Sequence, residues 1–94
     1  DDLERVGQPY WGAYGIAQHG LAAMVGMLHA ELASSSIRVS ALQPGPMRTG
    51  LRSRAYADDN DLQAREATDY ADACVTLLSS AGAAHRGQVW KVRA

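Results

Sequence analysis

Three histidines and one cysteine are the side chains of this sequence best suited to binding a metal ion. His19, His29 and His85 are too far apart along the chain to predict a ligand cluster, and such histidines usually lie on a helix surface or in a hydrogen-bonded core. Cys74 is the only cysteine, which excludes an internal disulfide and a zinc site with two thiolates. The sequence therefore predicts no metal site, and the lone thiol favours a reducing, cytoplasmic location.

Charge and hydropathy patterning exclude two classes of partner. Nine Lys and Arg residues against ten Asp and Glu give a net charge of -1, which provides no basic surface for nucleic acid or for an anionic membrane. Residues 6–30 carry no charged side chain, but five glycines, Pro9, Gln18 and two histidines interrupt the stretch. Lipid would leave those polar groups without partners, so we expect a buried helix of a soluble fold instead of a membrane span.

The predicted elements follow the order helix, strand, loop, helix, strand. Apolar residues recur at helical steps over residues 11–33, and alternating side chains over residues 37–42 predict a strand that Pro44 stops. Residues 48–63 predict a surface loop, and residues 69–79 a helix capped by Thr68, before a second strand at residues 88–92. Such an order predicts parallel strands joined by a right-handed crossover. The residues expected to form the buried stripe of the long helix are Ala17, Leu21, Met24, Leu28 and Leu32.

Two strands alone make an incomplete sheet, because both edges would remain unpaired. We therefore interpret residues 1–94 as a single partial α/β domain, the C-terminal part of a doubly wound Rossmann-like parallel sheet. Its first strands would lie on an absent segment or on another subunit. The sequence contains no glycine-rich dinucleotide fingerprint, so this domain is expected to lack the N-terminal dinucleotide-binding half.

Two segments carry a resemblance to a known family. Trp11-Gly12-Ala13-Tyr14-Gly15-Ile16-Ala17-Gln18 begins the long helix, and Gln43-Pro44-Gly45-Pro46-Met47-Arg48-Thr49 follows the first strand. With residues 37–39 and the terminal strand at residues 87–89, their order and spacing are similar to the C-terminal portion of short-chain dehydrogenases/reductases. The resemblance covers nearly the whole chain, and it is specific for the family but not for the substrate.

The resemblance implies a catalytic Tyr-x-x-x-Lys pair, in which the tyrosine is the general acid/base and the lysine holds the nicotinamide ribose. Tyr14 matches the tyrosine, and Gln18 stands in the place of the lysine. An amide can hydrogen-bond a ribose hydroxyl but brings no positive charge to stabilise a phenolate. Asp1 occupies the position of the family's serine. Tyr14 and Gln18 are thus the predicted catalytic residues of an impaired oxidoreductase that would retain carbonyl reduction better than alcohol oxidation.

The resemblance also implies a cofactor, NAD or NADP. The backbone of the residue that matches Met47 holds the nicotinamide carboxamide in this family, and the side chain that matches Thr49 also reaches the cofactor. Pro44 and Gly45 belong to the same predicted cofactor-binding loop. We expect the chain alone to bind the dinucleotide weakly or not at all in a calorimetric titration, because the pyrophosphate normally lies at a helix N-terminus that this sequence does not contain.

Two functional hypotheses remain open. The first is an NAD(P)-dependent oxidoreductase of the short-chain dehydrogenase/reductase type acting on a carbonyl or alcohol, favoured by Tyr14 and the loop at residues 44–49. The second is a catalytically silent fragment that serves as an oligomerisation or nucleotide-binding module, favoured by Gln18 and Asp1.

Helix 12–33 is also the predicted interface of a homo-oligomer. Its apolar circumference is wider than a two-stranded sheet can cover. In the resembling family the corresponding helix often packs against its symmetry mate, which suits the small and adaptable side chains Gly20, Ala23 and Met27 along one side.

Overall fold

A computed structural model describes residues 2–55 and 64–92; Asp1 and residues 56–63 lie outside the described residues. The helices are α1 (Leu3–Val6), α2 (Gly12–Glu31), α3 (Gly50–Ala55) and α4 (Ala71–Leu78), and the strands are β1 (Ala41–Pro44) and β2 (Val89–Val92). Two 3₁₀ turns, Ala67–Tyr70 and Ser80–His85, flank α4. The strands pair in parallel with Ala41 opposite Val89 and Pro44 opposite Val92, which confirms the predicted α/β class and strand direction.

The long helix α2 is continuous, as predicted, but it turns a different face inward. Its buried and half-buried positions recur every three or four residues, whereas Leu21, Met24 and Leu28 are 53%, 44% and 36% exposed. Of the predicted apolar stripe only Leu32 lies inward, so the prediction was wrong for the other four residues. At Gly15 the approach of α1 leaves no room for a side chain, because a Cβ there would collide with the Val6 carbonyl. The inward positions are Gly15, Gln18, Ala22, Val25, His29 and Leu32.

The C-terminal end of α2 is held by a distant arginine. Nη2 of Arg86 donates to the carbonyl oxygens of Leu32, Ala33, Ser35 and Ile37 at 3.3–3.4 Å. These groups include carbonyls that a helix end leaves without intrahelical partners, and a cation there also complements the helix dipole. Arg86 therefore does what a glycine cap does at many helix ends.

The neighbouring residue, Gly87, also packs closely against α2. Its φ of 74° lies in the left-handed region, and a Cβ there would stand 2.6 Å from the His29 ring. Its N–H donates to the Val39 carbonyl at 2.7 Å, just before β1. The residue that leads into β2 is thus fixed by both the long helix and the chain before the first strand.

The first strand begins later than the alternation predicts. β1 covers Ala41–Pro44 instead of residues 37–42, and Pro44 is its last residue instead of its stop. Pro44 lacks an N–H, which a position at the strand end tolerates. The Gly87 N–H donates to the Val39 carbonyl, and the Ala41 N–H donates to the Gln88 carbonyl. The residues that lead into β2 therefore pair with the predicted segment only from Val39 onward.

Two predictions for the helix at residues 69–79, which the structure shows as α4, were also wrong. Thr68 is not its cap: a reciprocal capping box between Glu66 and Asp69 closes the 3₁₀ turn that leads into α4, and α4 itself begins after Tyr70 without a side-chain cap. The apolar spacing of residues 69–79 also predicts a face that buries Cys74 and Leu78, but Cys74 is exposed and Leu78 is 87% exposed, because the buried residues here are Tyr70 and Ala73. The apolar face read from the sequence is therefore wider than the face that is covered.

The solvent-accessible surface of the chain is larger than that of a compact protein of the same mass. A compact protein of 10.0 kDa exposes about 5,200 Å², whereas this chain exposes 6653 Å². Among the described residues, the buried hydrophobic core comprises Val6, Val25, Ala64, Tyr70 and Ala73. Most positions of α2 are exposed where the structure describes its surroundings.

No helix in the described ranges has both the length and the hydropathy needed to cross a membrane.

Candidate functional site

The first part of the candidate site lies on the first two turns of α2. Tyr14 and Gln18 are both half-buried, and because α2 is unbroken between them, their four-residue separation places them on the same side of the helix. The ring of Tyr14 lies beside that of Trp11, with centroids 5.9 Å apart and planes tilted by 40°. This tilted packing restricts the Tyr14 ring at the start of the helix.

A small cavity joins the helix to the first strand. It has a volume of about 50 Å³ and lies between Gln18 and Ala22 on α2 and Leu42 and Gln43 on β1. Gln18 and Gln43 supply its side-chain amides, and the other lining side chains are apolar. The structure thus brings Gln18 next to the residue that precedes Pro44, where the predicted cofactor loop begins.

The loop after β1 is held by an isolated parallel bridge between Met47 and Arg65. The Arg48 N–H donates to the Arg65 carbonyl at 2.8 Å, and the Arg65 N–H donates to the Pro46 carbonyl at 2.9 Å. In this pattern the N–H and C=O of Met47 take no part in the bridge and point to its other side. The bridge therefore fixes one donor and one acceptor of Met47 side by side.

Thr49 connects this loop to the next helix. Its side-chain oxygen accepts a hydrogen bond from the Arg52 N–H at 3.2 Å, at the beginning of α3. A hydroxyl that accepts from the backbone retains its own proton for donation to a further group. Thr49 is exposed, so a ligand can reach that proton.

The side chain of Arg48 connects the loop to residues 64–66. Its Nε donates to the Ala64 carbonyl at 3.1 Å, and its Nη1 pairs with Glu66 Oε1 at 3.2 Å. Both side chains of the ion pair are more than half exposed, so the pair itself contributes at most about 1 kcal/mol. The bond to Ala64 nevertheless ties Arg48 to the segment that carries Arg65.

The histidines have structural contacts that fit an ordinary packing role. His19 Nδ1 lies 2.9 Å from the Gly15 carbonyl, and the His85 ring stacks on Trp90 at a centroid distance of 4.1 Å. His29 packs against Gly87. Within residues 2–55 and 64–92, no group of three His, Cys, Asp or Glu side chains could hold a metal ion.

The loop fits the nicotinamide end of a dinucleotide. A carboxamide carries one acceptor oxygen and an N–H₂ donor, which the paired donor and acceptor of Met47 complement. The Thr49 hydroxyl lies two residues further on. The dinucleotide's pyrophosphate has no comparable match, because the sequence lacks a glycine-rich turn of the known fingerprint.

Comparison with known proteins gives a consistent result. The family model described as "Enoyl-(Acyl carrier protein) reductase" matches residues 2–93. A solved structure from Pseudomonas syringae, assigned there to the short-chain dehydrogenases, is similar with a TM-score of 0.84 and 28% sequence identity. The similarity covers 97% of this chain and 37% of that chain. No curated protein matches.

Sequence reasoning missed two residues that shape the site. Gln43 could have been noticed, since a long polar side chain is unusual at the end of an otherwise apolar strand. Arg65 gave no local signal, because its bridge to Met47 joins positions 18 residues apart through backbone groups.

Proposed function

The chain belongs to the short-chain dehydrogenase/reductase family, and from this premise we propose that it supplies the catalytic helix and the nicotinamide loop of an NAD(P)-dependent oxidoreductase. The substrate class is a carbonyl or the corresponding alcohol. The observation that carries the proposal is the placement of Tyr14 and Gln18 on one side of α2, with Gln18 lining a cavity at the strand end from which the loop leaves.

Each residue of this proposal has a distinct task. A bound nicotinamide dinucleotide would supply the hydride to the carbonyl carbon. Tyr14 would donate its hydroxyl proton to the carbonyl oxygen as the alcohol forms, and then recover a proton from solvent. Met47 would hold the carboxamide through its backbone, beside Pro44 and Gly45, and Thr49 would add a side-chain hydrogen bond.

Gln18 affects how readily Tyr14 can serve as a base. Its amide can hold a ribose hydroxyl, but it brings no charge that would favour a deprotonated Tyr14. Reduction needs Tyr14 as an acid, whereas oxidation needs it as a base. We therefore propose an enzyme that retains reduction and is impaired in oxidation.

Hydride transfer to a labelled product tests this function. The protein as it occurs naturally is incubated with NADH or NADPH deuterated at the nicotinamide C4 and with a panel of aldehydes and ketones. We expect deuterium on the carbinol carbon of at least one product, detected by mass spectrometry. Absence of label from both cofactors across the panel would contradict the proposal.

A catalytically silent module is the second candidate. Gln18 in the lysine position favours it, together with the uncovered surface of α2. In that case the same incubation would transfer no label, while the protein would still self-associate or bind a nucleotide.

Residues 1–94 are proposed to form one partial domain whose phosphate-binding turn comes from outside these residues. The similar structure, of which this chain covers 37%, supports that arrangement. A lone thiol, Cys74, favours a cytoplasmic protein.

Self-association through α2 is the partner proposal. Ala23 is exposed beside Met24 and Met27 on a helix that the chain does not cover, and a two-fold dimer would bury the same patch on both subunits. We expect light scattering to report at least twice the monomer mass. Ala23→Glu should weaken association by bringing an unpaired charge into the contact, whereas Ala84→Glu, on an exposed turn away from α2, should not. A monodisperse monomer at micromolar concentration would contradict the proposal.

A further inference from the structure

Gln43 lies at the candidate site, but the proposed mechanism gives its side chain no role. Its Oε1 is buried and has no hydrogen-bond partner among the described residues. Leaving a carbonyl oxygen in that condition costs about 1–3 kcal/mol, so a strand that places one there ordinarily supplies a donor for it.

The cavity next to Gln43 indicates which donor this is. Its about 50 Å³ exceeds the roughly 15 Å³ that one water molecule needs. Gln18 lines the same cavity from α2, and its amide N–H₂ offers two donors. The remaining lining side chains, such as Leu3, Leu42 and Val89, offer no side-chain donor.

We propose that Gln43 is a positioning residue for Gln18: one water molecule in the cavity donates a hydrogen bond to the buried Oε1 of Gln43 and accepts one from the Gln18 amide. This contact determines which way the amide of Gln18 faces. With its N–H₂ group turned to the cavity, Gln18 keeps Oε1 as an acceptor for a ligand hydroxyl. The consequence for catalysis rests on the proposed function, whereas the contact itself does not.

The same geometry suits a neutral amide at residue 18. A buried charge needs a partner that compensates for lost hydration, whereas a neutral amide needs only hydrogen bonds. Gln43 contributes an acceptor but no negative charge. An amide at residue 18 therefore matches its environment, and the two glutamines function as a pair.

A double-mutant cycle with Gln18→Met and Gln43→Met tests the contact in the purified chain. Methionine has a similar volume and no hydrogen-bonding amide, so each single variant leaves the other glutamine without its partner. Each single variant should raise the unfolding equilibrium constant. The factor by which the double variant raises it should be smaller than the product of the two single factors by about twofold to tenfold. Gln88→Met, at an exposed position, is the matched control and should show no coupling to Gln18→Met.

A spectroscopic readout separates positioning from packing. The side-chain amide protons of Gln18 should exchange slowly in the native chain, faster in Gln43→Met, and slowly again in Gln43→Glu, which retains an acceptor oxygen. Additive single effects together with unchanged exchange in Gln43→Met would overturn the proposal. In the natural protein, Gln43→Met should raise KM for the dinucleotide several-fold with a smaller change in kcat.

The outcomes of the two proposals are distinguishable. Coupling and restored exchange in a protein that transfers no hydride would support the positioning role and count against the oxidoreductase. Hydride transfer without any coupling would do the reverse.

Discussion

Tyr14→Phe is expected to lower the rate of carbonyl reduction by about 10²–10⁴-fold, the usual contribution of a positioned acid or base. Phenylalanine keeps the ring that packs beside Trp11 and removes only the hydroxyl. The loss should therefore appear in kcat, while the unfolding free energy should change by no more than one hydrogen bond contributes, about 1 kcal/mol. Steady-state rates and urea unfolding on the same preparations measure both quantities.

A second tyrosine provides the matched control for that experiment. Tyr10 is fully exposed just before α2, so Tyr10→Phe removes the same hydroxyl from a position without a site contact. Its rate should equal that of the natural protein. A Tyr14→Phe enzyme that retained its rate would show that the proton comes from another group, and would remove Tyr14 from the mechanism.

Gly87→Ala is expected to destabilise the fold by about 2–5 kcal/mol. A left-handed φ costs a residue with a Cβ about 1–2 kcal/mol, and the added methyl group would stand 2.6 Å from the His29 ring, where overpacking costs about 1–3 kcal/mol more. Urea unfolding followed by circular dichroism measures the loss as a lower midpoint at unchanged slope.

Gly26→Ala should have the opposite effect. Gly26 lies within α2, and a Cβ there would meet nothing within 4 Å. Alanine should therefore raise helix stability by up to about 1 kcal/mol. Equal destabilisation by both substitutions would contradict the tight fit of Gly87 and point to a general sensitivity of the chain to added methyl groups.

The element order and strand direction could be predicted because they depend on local patterns. The run of residues without charge in α2, the loop that begins at Pro44 and the apolar second strand are visible in the sequence itself. Parallel pairing then follows from connection length and handedness. These features need no information on which atoms finally touch.

The inward face of α2 could not be predicted in the same way. Hydrophobicity alone favoured Leu21, Met24 and Leu28, whereas close contact with Val6 and Gly87 selects Gly15 and His29. A large apolar side chain indicates that its surface is usually covered, but it does not indicate by which element or subunit. Small residues mark close approach only after the neighbouring element is known.

The candidate site was predictable to a similar extent. Tyr14, Gln18 and the Pro44 to Thr49 loop are adjacent in short motifs, so one sequence suffices to locate them. The contact between Gln18 and the cavity beside Gln43 joins positions 25 residues apart. Only the packing of α2 on β1 reveals that Gln43 belongs with the catalytic helix.

The arginine at the end of α2 has a consequence for the order in which the chain acquires structure. During synthesis from the N-terminus, residues 29–32 emerge 54 positions or more before Arg86 reaches them. Until then the last turn of α2 has carbonyls open to water and will fray. Amide hydrogen exchange should therefore show the amides of this turn becoming protected together with those of β2, later than the centre of α2.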